Sequence, residues 1–304
     1  MTASAAGLDK APMVLVVGAA SRDITTADPR GWRLGGAVTY GSLTLARLGL
    51  RVRALVGADD VAAVAHELDL LREAGVEVAL APLAHGPVFE NIEQPGGRRQ
   101  RCLSIADALE PGALPREWGA SDAVFLGPVA GELGGTWASL RAPLVVLGWQ
   151  GLLRRLVVDA DVKRIAPGPD PLLDAADIVG VSVDDVDAAT KLSELVDMIR
   201  PGATVVVTRG DRGGTVLISR RPARSALRAY PAIPSNGVVD ATGAGDVFLA
   251  TLAATAIDGS RLGATDWAAR LTFAAAAGSL AVEGPGLLGV PTLAAIRRRV
   301  AEVA

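Results

Sequence analysis

The sequence predicts an α/β fold: a mainly parallel sheet covered by helices on both faces, with a small β excursion. Three observations predict it. From Met13 to Ala81, short apolar runs alternate with helix-length amphipathic stretches. A polar hairpin pattern at Pro87–Ile105 then breaks that rhythm. After it the apolar runs return, and the chain ends in helical spacing.

In order, MVLVVG (Met13–Gly18) is a buried strand ending in glycine. AVTYGSLTLARLG (Ala37–Gly49) has helical apolar spacing and stops at a glycine suited to a C-cap. RVRALVG (Arg51–Gly57) is a second strand, followed by a helix over Val61–Glu73 and the strand Val76–Ala81. This order implies parallel strands with crossover helices. Pro87–Gln94 and Arg98–Ile105 flank the turn Pro95–Gly97 and read as a hairpin too polar for the centre of a sheet. It is a small sheet or lid, and Trp32–Gly36 is a second lid strand. Strands follow at Asp122–Gly127, Pro143–Gly148, Ala176–Ser182 and Ala203–Gly210. Gly214–Ser219 reads as an antiparallel edge strand, because so little chain separates it from Gly210. Helices over 244–257, 262–282 and 292–303 close the chain. Without internal repeats or a low-complexity linker, residues 1–304 read as one domain with lid segments near 30–36 and 87–105.

Composition narrows the function. Half of the 304 residues are hydrophobic, 21% are charged and the formal net charge is -3, which suits a compact core. No basic stripe points to nucleic acid. Cys102 is the only cysteine and His66 and His85 the only histidines, which excludes a disulfide, a Cys cluster or a His-rich metal site. Both histidines read as surface residues. The N-terminal MTASAAGLDKAP reads as a disordered lead-in without a signal peptide's apolar core, and no apolar run is long enough for a membrane span. A cytoplasmic enzyme is the expectation.

The stretch VVDATGAGDVFLATLA (Val238–Ala253) sets two carboxylates around glycines and runs straight into an apolar helix. Unpaired N–H groups at a helix start carry about +0.5 of a charge, and glycines let an anion come close. Thr242, Gly243, Ala244 and Gly245 therefore read as an anion cradle. Asp246, in the first turn, either caps the helix or accepts a proton from a hydroxyl while the cradle neutralises a phosphoryl group. There is no Gly-x-x-x-x-Gly-Lys-Ser/Thr segment, which argues against a Walker-type ATPase.

The DATGAGD segment (Asp240–Asp246) resembles the C-terminal signature of the ribokinase-like (PfkB) carbohydrate kinases. VGAASRD resembles the family's first strand ending at a substrate-binding Asp, here Asp23. LGGAVTYGSLTLARLG resembles its paired glycines and first helix; Gly35 and Gly36 let a substrate lie against backbone, hinge the lid, or both. VVVTRGDRGG resembles the strand and turn of the nucleotide site, and EGPGLLGVPT the loop before the last helix. The resemblance implies a ribokinase-like three-layer α/β/α fold with a β lid, and an ATP-dependent kinase using Mg²⁺. It makes Asp246 the general base and the backbone of Gly243, Ala244 and Gly245 the anion hole. It assigns Ser182, Thr208, Gly210, Gly213, Thr242, Gly243, Gly245, Ala275 and Gly278 to the nucleotide. Asp240, through backbone, is a candidate for a monovalent cation such as K⁺. Where many relatives carry Asn-x-x-Glu for Mg²⁺ and phosphate, this chain has SVDD (Ser182–Asp185). Asp185 then reaches the metal through water, and Ser182 alternatively caps a helix starting near Val183.

On the acceptor side, Asp23 follows strand one in a Ser-Arg-Asp loop, where its carboxylate grips two hydroxyls or serves a turn. Asn91 and Arg101 on the hairpin face either the acceptor or solvent. GWQGLLR (Gly148–Arg154) resembles a Gln-Gly-x-x-Arg segment of a subset that includes inositol kinase-like members, so Gln150 and Arg154 join the acceptor set. Gly-Gly-Ala-Val-Thr-Tyr, in place of the ribokinase Gly-Gly-Lys-x-x-Asn, argues against ribose. A sugar or cyclitol kinase is the expectation. A nucleoside kinase would need an aromatic pocket, for which Trp32, Tyr40, Phe89 and Trp149 are the candidates. A binding protein without turnover is the third alternative. Many relatives form homodimers through the lid and others are monomers.

Overall fold

The computed structural model describes residues 11–94, 97–220 and 226–303. Residues 1–10 of the expected lead-in (1–12) and the hairpin turn residues Pro95 and Gly96 lie outside the described residues. Strand β1 (Met13–Ala19) passes directly into β2 (Ser21–Ile24), and β3 (Trp32–Gly35) returns to helix α1 (Ala37–Arg47). Then come β4 (Arg51–Ala58), α2 (Glu67–Glu73), β5 (Glu77–Pro82), β6 (Val88–Gln94), β7 (Gly97–Ser104), β8 (Ala123–Leu126) and β9 (Leu144–Gly148). Short strands β10 (Arg154–Arg155), β11 (Ala160–Asp161) and β12 (Lys163–Arg164) precede α3 (Pro171–Ala175) and β13 (Ile178–Ser182). The rest is α4 (Leu192–Leu195), β14 (Thr204–Thr208), β15 (Gly214–Ile218), β16 (Ala226–Tyr230), α5 (Ala244–Leu262), α6 (Trp267–Ala281) and α7 (Leu293–Val303).

The main sheet has nine strands in the order β16-β15-β14-β13-β9-β8-β1-β4-β5. It is parallel from β14 to β5. β15 and β16 add antiparallel. The expectation that β15 is the edge is therefore corrected: β16 pairs along its whole length. The sequence pattern assigns no strand to Ala226–Tyr230.

Alternation divides each central strand between two cores. Val14 and Val16 face one, with Tyr40, Leu43, Val247 and Phe248 from the helices. Leu15 and Val17 face the other. On the first face α5 lies between α1 and α6, and α7 packs on α6. The second face is covered by short pieces: α3, α4 and the 3₁₀ turns Gly135–Ser139 and Gln150–Leu153, with Trp137, Leu172 and Leu195 pointing in. Helices flank both faces as expected, but those on the second are stunted. The connecting chain carries Pro128, Gly131, Gly134, Gly135, Pro167, Gly168 and Pro169, which interrupt helices. The expected helix Val61–Glu73 is likewise split, into a 3₁₀ turn at Ala62–Val64 and α2, by extended backbone at Ala65.

The hairpin joins a separate sheet of five strands, β11-β7-β6-β2-β3. Asp23 thus sits on a strand of this sheet and not in the loop the sequence suggested: β2 pairs with β3 and β6. The described residues include no helix long and apolar enough to cross a membrane.

The C-terminal ends of β1 and β8 are tied together by Glu132, which is 1% exposed. Its carboxylate accepts the N–H groups of Ala19 (3.0 Å), Val129 (3.1 Å) and Ala130 (2.8 Å). Burial pushes its pKa up, and these donors oppose that. Glu132→Ala strands three inward-facing donors and should destabilise the protein by ~3 kcal/mol or more in urea unfolding. A loss below about 1 kcal/mol would mean that water replaces the carboxylate at no great cost.

Candidate active site

The site is built around the start of α5. Asp240 Oδ1 accepts the Thr242 N–H at 2.9 Å, a local turn that brings the chain to Gly243. Gly243 is the N-cap, in left-handed conformation at φ 77°. A Cβ there would lie 2.4 Å from the ring of Tyr40, so only glycine lets the phenol ring press on this backbone. Tyr40 comes from α1 and is 2% exposed. Burial, then the carboxylates of Asp23, Asp240 and Asp246, drive its pKa well above the ordinary phenol value. The backbone of residues 243–245 at the start of α5 lines a cleft of about 1560 Å³, and within it the Ala244 N–H donates to the Ala241 carbonyl at a long 3.4 Å.

Asp246 lies in the first turn of α5. Part of its surface opens on the cleft while protein atoms enclose the rest. That enclosure is the main reason its pKa is pushed up to about 7; Asp185 and Asp23 push the same way and Arg154 opposes them. Arg154 follows the Gln150–Leu153 turn and is itself deeply enclosed. Desolvation works against its charge, and Asp185, Asp246 and Asp23 support it. Its guanidinium is 3.6 Å from Asp185 Oδ1 and 5.7 Å from the Phe89 ring centroid. Gln150 Nε2 donates to the same Asp185 oxygen at 2.9 Å. One guanidinium thus stands among three carboxylates from distant parts of the chain.

The structure brings most of the expected residues to this one cleft. Asp23, Gly36, Asn91, Gln150 and Arg154 line one part of it. Asp185 lines it beside Gln150 and Arg154, and Ser182, Thr208, Gly210, Gly213, Thr242, Ala275 and Gly278 also line it. Gly35 stands behind the wall: a Cβ on it would fall 2.3 Å from Asp23 Oδ2, so its bare backbone makes room for that carboxylate. Arg101 does not line the cleft. Its Nε donates to the Asp159 carbonyl at 3.3 Å, and its Nη2 lies 3.4 Å from Asp159 Oδ1. Asn91 pairs with Gln100, so these two share a face; Arg101 is on the other and is held away by Asp159. Gln100 Nε2 donates to Asn91 Oδ1 at 2.9 Å. No helix starts at Val183; Ser182 Oγ accepts the Asp184 N–H at 3.1 Å in a turn. His66 and His85 lie outside the cleft beside Glu67 and Asp107, as surface residues.

Sequence reasoning missed the strip Tyr230–Ser235, which lines the part of the cleft beside Gly213. The signal was the unassigned run YPAIPS between a strand and the motif. Tyr230 stacks on Phe248 with ring centroids 5.6 Å apart. Among the described residues no group of three or more His, Cys, Asp or Glu side chains is arranged to hold a metal.

Residues 164–293 match the family model described as pfkB family carbohydrate kinase. The bifunctional protein HldE of Pseudomonas fluorescens (strain SBW25) is 30% identical over 250 residues, 76% of this chain and 49% of that protein. HldE of Pseudomonas syringae pv. syringae (strain B728a) is 42% identical over 85 residues, 28% of this chain and 17% of that protein. The chain therefore spans about half the length, or less, of the curated relatives it matches. A pyrophosphate-dependent kinase in the ribokinase family, solved with a pyrophosphate analog and myo-inositol, superposes with TM-score 0.69 at 19% identity, over 96% of this chain and 100% of that one. Ribokinase of Arabidopsis thaliana, solved with ribose and ATP, gives 0.63 at 19% identity, over 95% and 99% of the two chains. A nucleoside kinase of Methanocaldococcus jannaschii gives 0.67 at 15% identity, over 96% and 98%. These likenesses establish the ribokinase fold.

The electrostatics of the cleft are directly testable. Asp185→Asn removes a negative charge beside Asp246, so Asp246 should ionise at lower pH; Arg154→Gln removes a positive one and should shift it upward. Carboxyl ¹³C NMR titration reads both shifts, and an Asp246 midpoint unchanged in both variants would refute the arrangement.

Proposed function

We propose that this chain, which carries a pfkB family carbohydrate kinase domain, transfers a phosphoryl group to a hydroxyl of a small sugar or cyclitol. The single observation that carries the proposal is Asp246: a carboxylate with its pKa pushed up to about 7, beside the open N-terminus of α5 and inside a large cleft. A base at that point takes the proton of the acceptor hydroxyl as its oxygen attacks the terminal phosphorus of the donor. The new O–P bond forms as the bond to the bridging oxygen breaks, and the rest of the donor leaves with that oxygen. The N–H groups of Gly243, Ala244 and Gly245 hold the charge on the transferred group.

Asp23, Asn91 and Gln150 hold the acceptor through its hydroxyls. Arg154 keeps the three carboxylates from repelling each other and the donor. The donor is ATP, its base and ribose against the small and apolar surface of Tyr230, Ile233, Ala275 and Gly278. Mg²⁺ would supply charge neutralisation on the donor phosphates; among the described residues no cluster of acidic side chains forms a cage for it. Asp185 is already committed to Gln150 and Arg154, so its part is to fix Arg154. The five-stranded sheet acts as the lid that excludes water from the transfer. A small acceptor is favoured over a nucleoside because the aromatic candidates offer little free ring surface: Tyr40, Phe89 and Trp149 line the cleft but are nearly fully buried, and Arg154 stands over Phe89. Trp149 is 1% and Tyr40 2% exposed. Trp32 lies under Arg30, 4.4 Å from its ring centroid.

The decisive experiment is a panel of sugars, polyols, cyclitols and nucleosides with ATP and Mg²⁺, read by ADP release, with pyrophosphate as a second donor. No turnover with any pair would overturn the proposal. Asp246→Asn should lower kcat by ~10²-fold or more with donor affinity kept. Residual activity above about a tenth would exclude Asp246 as the base. Wild-type kcat/KM should fall about tenfold per pH unit below about 7, because the base form is lost as pH drops through its raised pKa. Asp23→Ala should weaken the acceptor by ~1.5–3 kcal/mol and leave ATP binding unchanged. On acceptor binding, the amides of β6 and β7 should exchange with deuterium more slowly; equal rates with and without acceptor would remove the lid role.

A further inference from the structure

Asp240 opens the DATGAGD segment but does not line the cleft. Besides Thr242, its carboxylate has two partners from far away in the chain. Oδ2 accepts the N–H of Gly286 at 3.1 Å, in the loop before α7. Arg33 Nη1, from strand β3 of the small sheet, lies 3.4 Å from the same oxygen. The pair is largely buried, with side chains 23% and 17% exposed. Arg33 is held in place from behind: its Nη2 donates to the Ala27 carbonyl at 3.1 Å, and its Nε is 4.0 Å from Asp28 Oδ2. Its stem lies along Gly286, where a Cβ would sit 3.5 Å from Arg33 Cδ.

The family resemblance suggests a monovalent cation at Asp240 through backbone; the Asp240 carboxylate itself does not fit one. A cation there needs an oxygen-rich, electronegative position. Both oxygens of Asp240 already accept hydrogen bonds, and a fixed positive charge stands against Oδ2. A second cation at that oxygen would be repelled by the guanidinium.

We propose that Arg33 is a built-in replacement for a monovalent cation. Its guanidinium neutralises Asp240 and so holds the motif loop, the 286 loop and the small sheet in register, which makes the protein indifferent to K⁺. Arg33 is a positioning residue, since it acts on the phosphoryl site only through Asp240 and the backbone that follows it. A guanidinium differs from a bound ion in being tethered. It cannot be diluted away, and it couples the cradle mechanically to β3, two residues before Gly35 and the Asp23 carboxylate.

The test has two arms. In the first, which does not rest on the proposed kinase activity, thermal unfolding of the protein alone is compared in potassium, sodium and choline chloride at equal ionic strength. Wild type should unfold within about 1 °C in the three salts, because no linked cation is bound. Arg33→Ala should unfold lower in choline and recover by several degrees in potassium, and Arg33→Lys should behave as wild type. Should the alanine variant not fold, Arg33→Met keeps the stem along Gly286 and makes the same comparison. A wild-type midpoint raised by more than about 2 °C in potassium over choline overturns the proposal. So does an Arg33 variant as stable and as salt-indifferent as wild type. In the second arm, which rests on the kinase reading, wild-type turnover should be equal in the three salts within about twofold, and Arg33→Ala should lose about tenfold or more and regain it in potassium alone. Potassium activation of the wild type overturns the proposal. Absence of turnover in every salt overturns the kinase reading instead, and the thermal arm then decides the role of Arg33.

Discussion

Arg154 carries a full positive charge into a wall of the cleft where Asp23, Asp185 and Asp246 all act on it. Desolvation works against the charged form of both Arg154 and Asp246. An isolated buried carboxylate takes up a proton and an isolated buried guanidinium is costly, but together they offset each other's desolvation. Asp246 stands at the edge of this balance: two like charges and enclosure push it up to about 7, and one guanidinium holds it from rising further. A carboxylate whose pKa lies near neutrality is the outcome, set by where four side chains meet.

Holding them there is a task of close packing. Asp23 comes from the small sheet, Arg154 and Asp185 from the chain around β9 and β13, and Asp246 from α5. The elements approach more closely than ordinary side chains permit, with Tyr40 pressed on Gly243 and the Asp23 carboxylate on Gly35. Glu132 locks the ends of β1 and β8 beneath them. The thick helical layer on one face of the sheet supplies rigidity, and the stunted segments on the other supply Gln150 and Arg154 from a short turn. This division fits general expectation: rigid elements support, and loops at the C-terminal ends of parallel strands carry the polar groups.

Much of this was legible in the sequence because it is local. Strand and helix periodicities repeat within a few residues, so Met13–Ala19, Ala37–Arg47 and Ala244–Leu262 could be read with small errors at their ends. The DATGAGD segment is local in the same sense: a turn closed by Asp240 onto Thr242, a glycine N-cap and an acid in the first turn all lie within seven residues. The order of elements along the chain was enough to suggest the fold, and the suggestion agrees with the ribokinase-fold structures.

What the tertiary structure decided is everything that depends on which distant segments become neighbours. Alternation says that Asn91 and Arg101 each face one of two sides, but only the register of β6 on β7 puts Gln100, and not Arg101, beside Asn91. Ser-Arg-Asp reads equally as loop or strand until β3 and β6 are found on either side of it. Arg33 and Asp240 are 207 residues apart, and nothing in either neighbourhood announces the other. A pattern along a chain encodes the direction of a side chain relative to its own element. The partner it meets is set by how sheets order and layers stack, and that is fixed by the packing of the whole molecule.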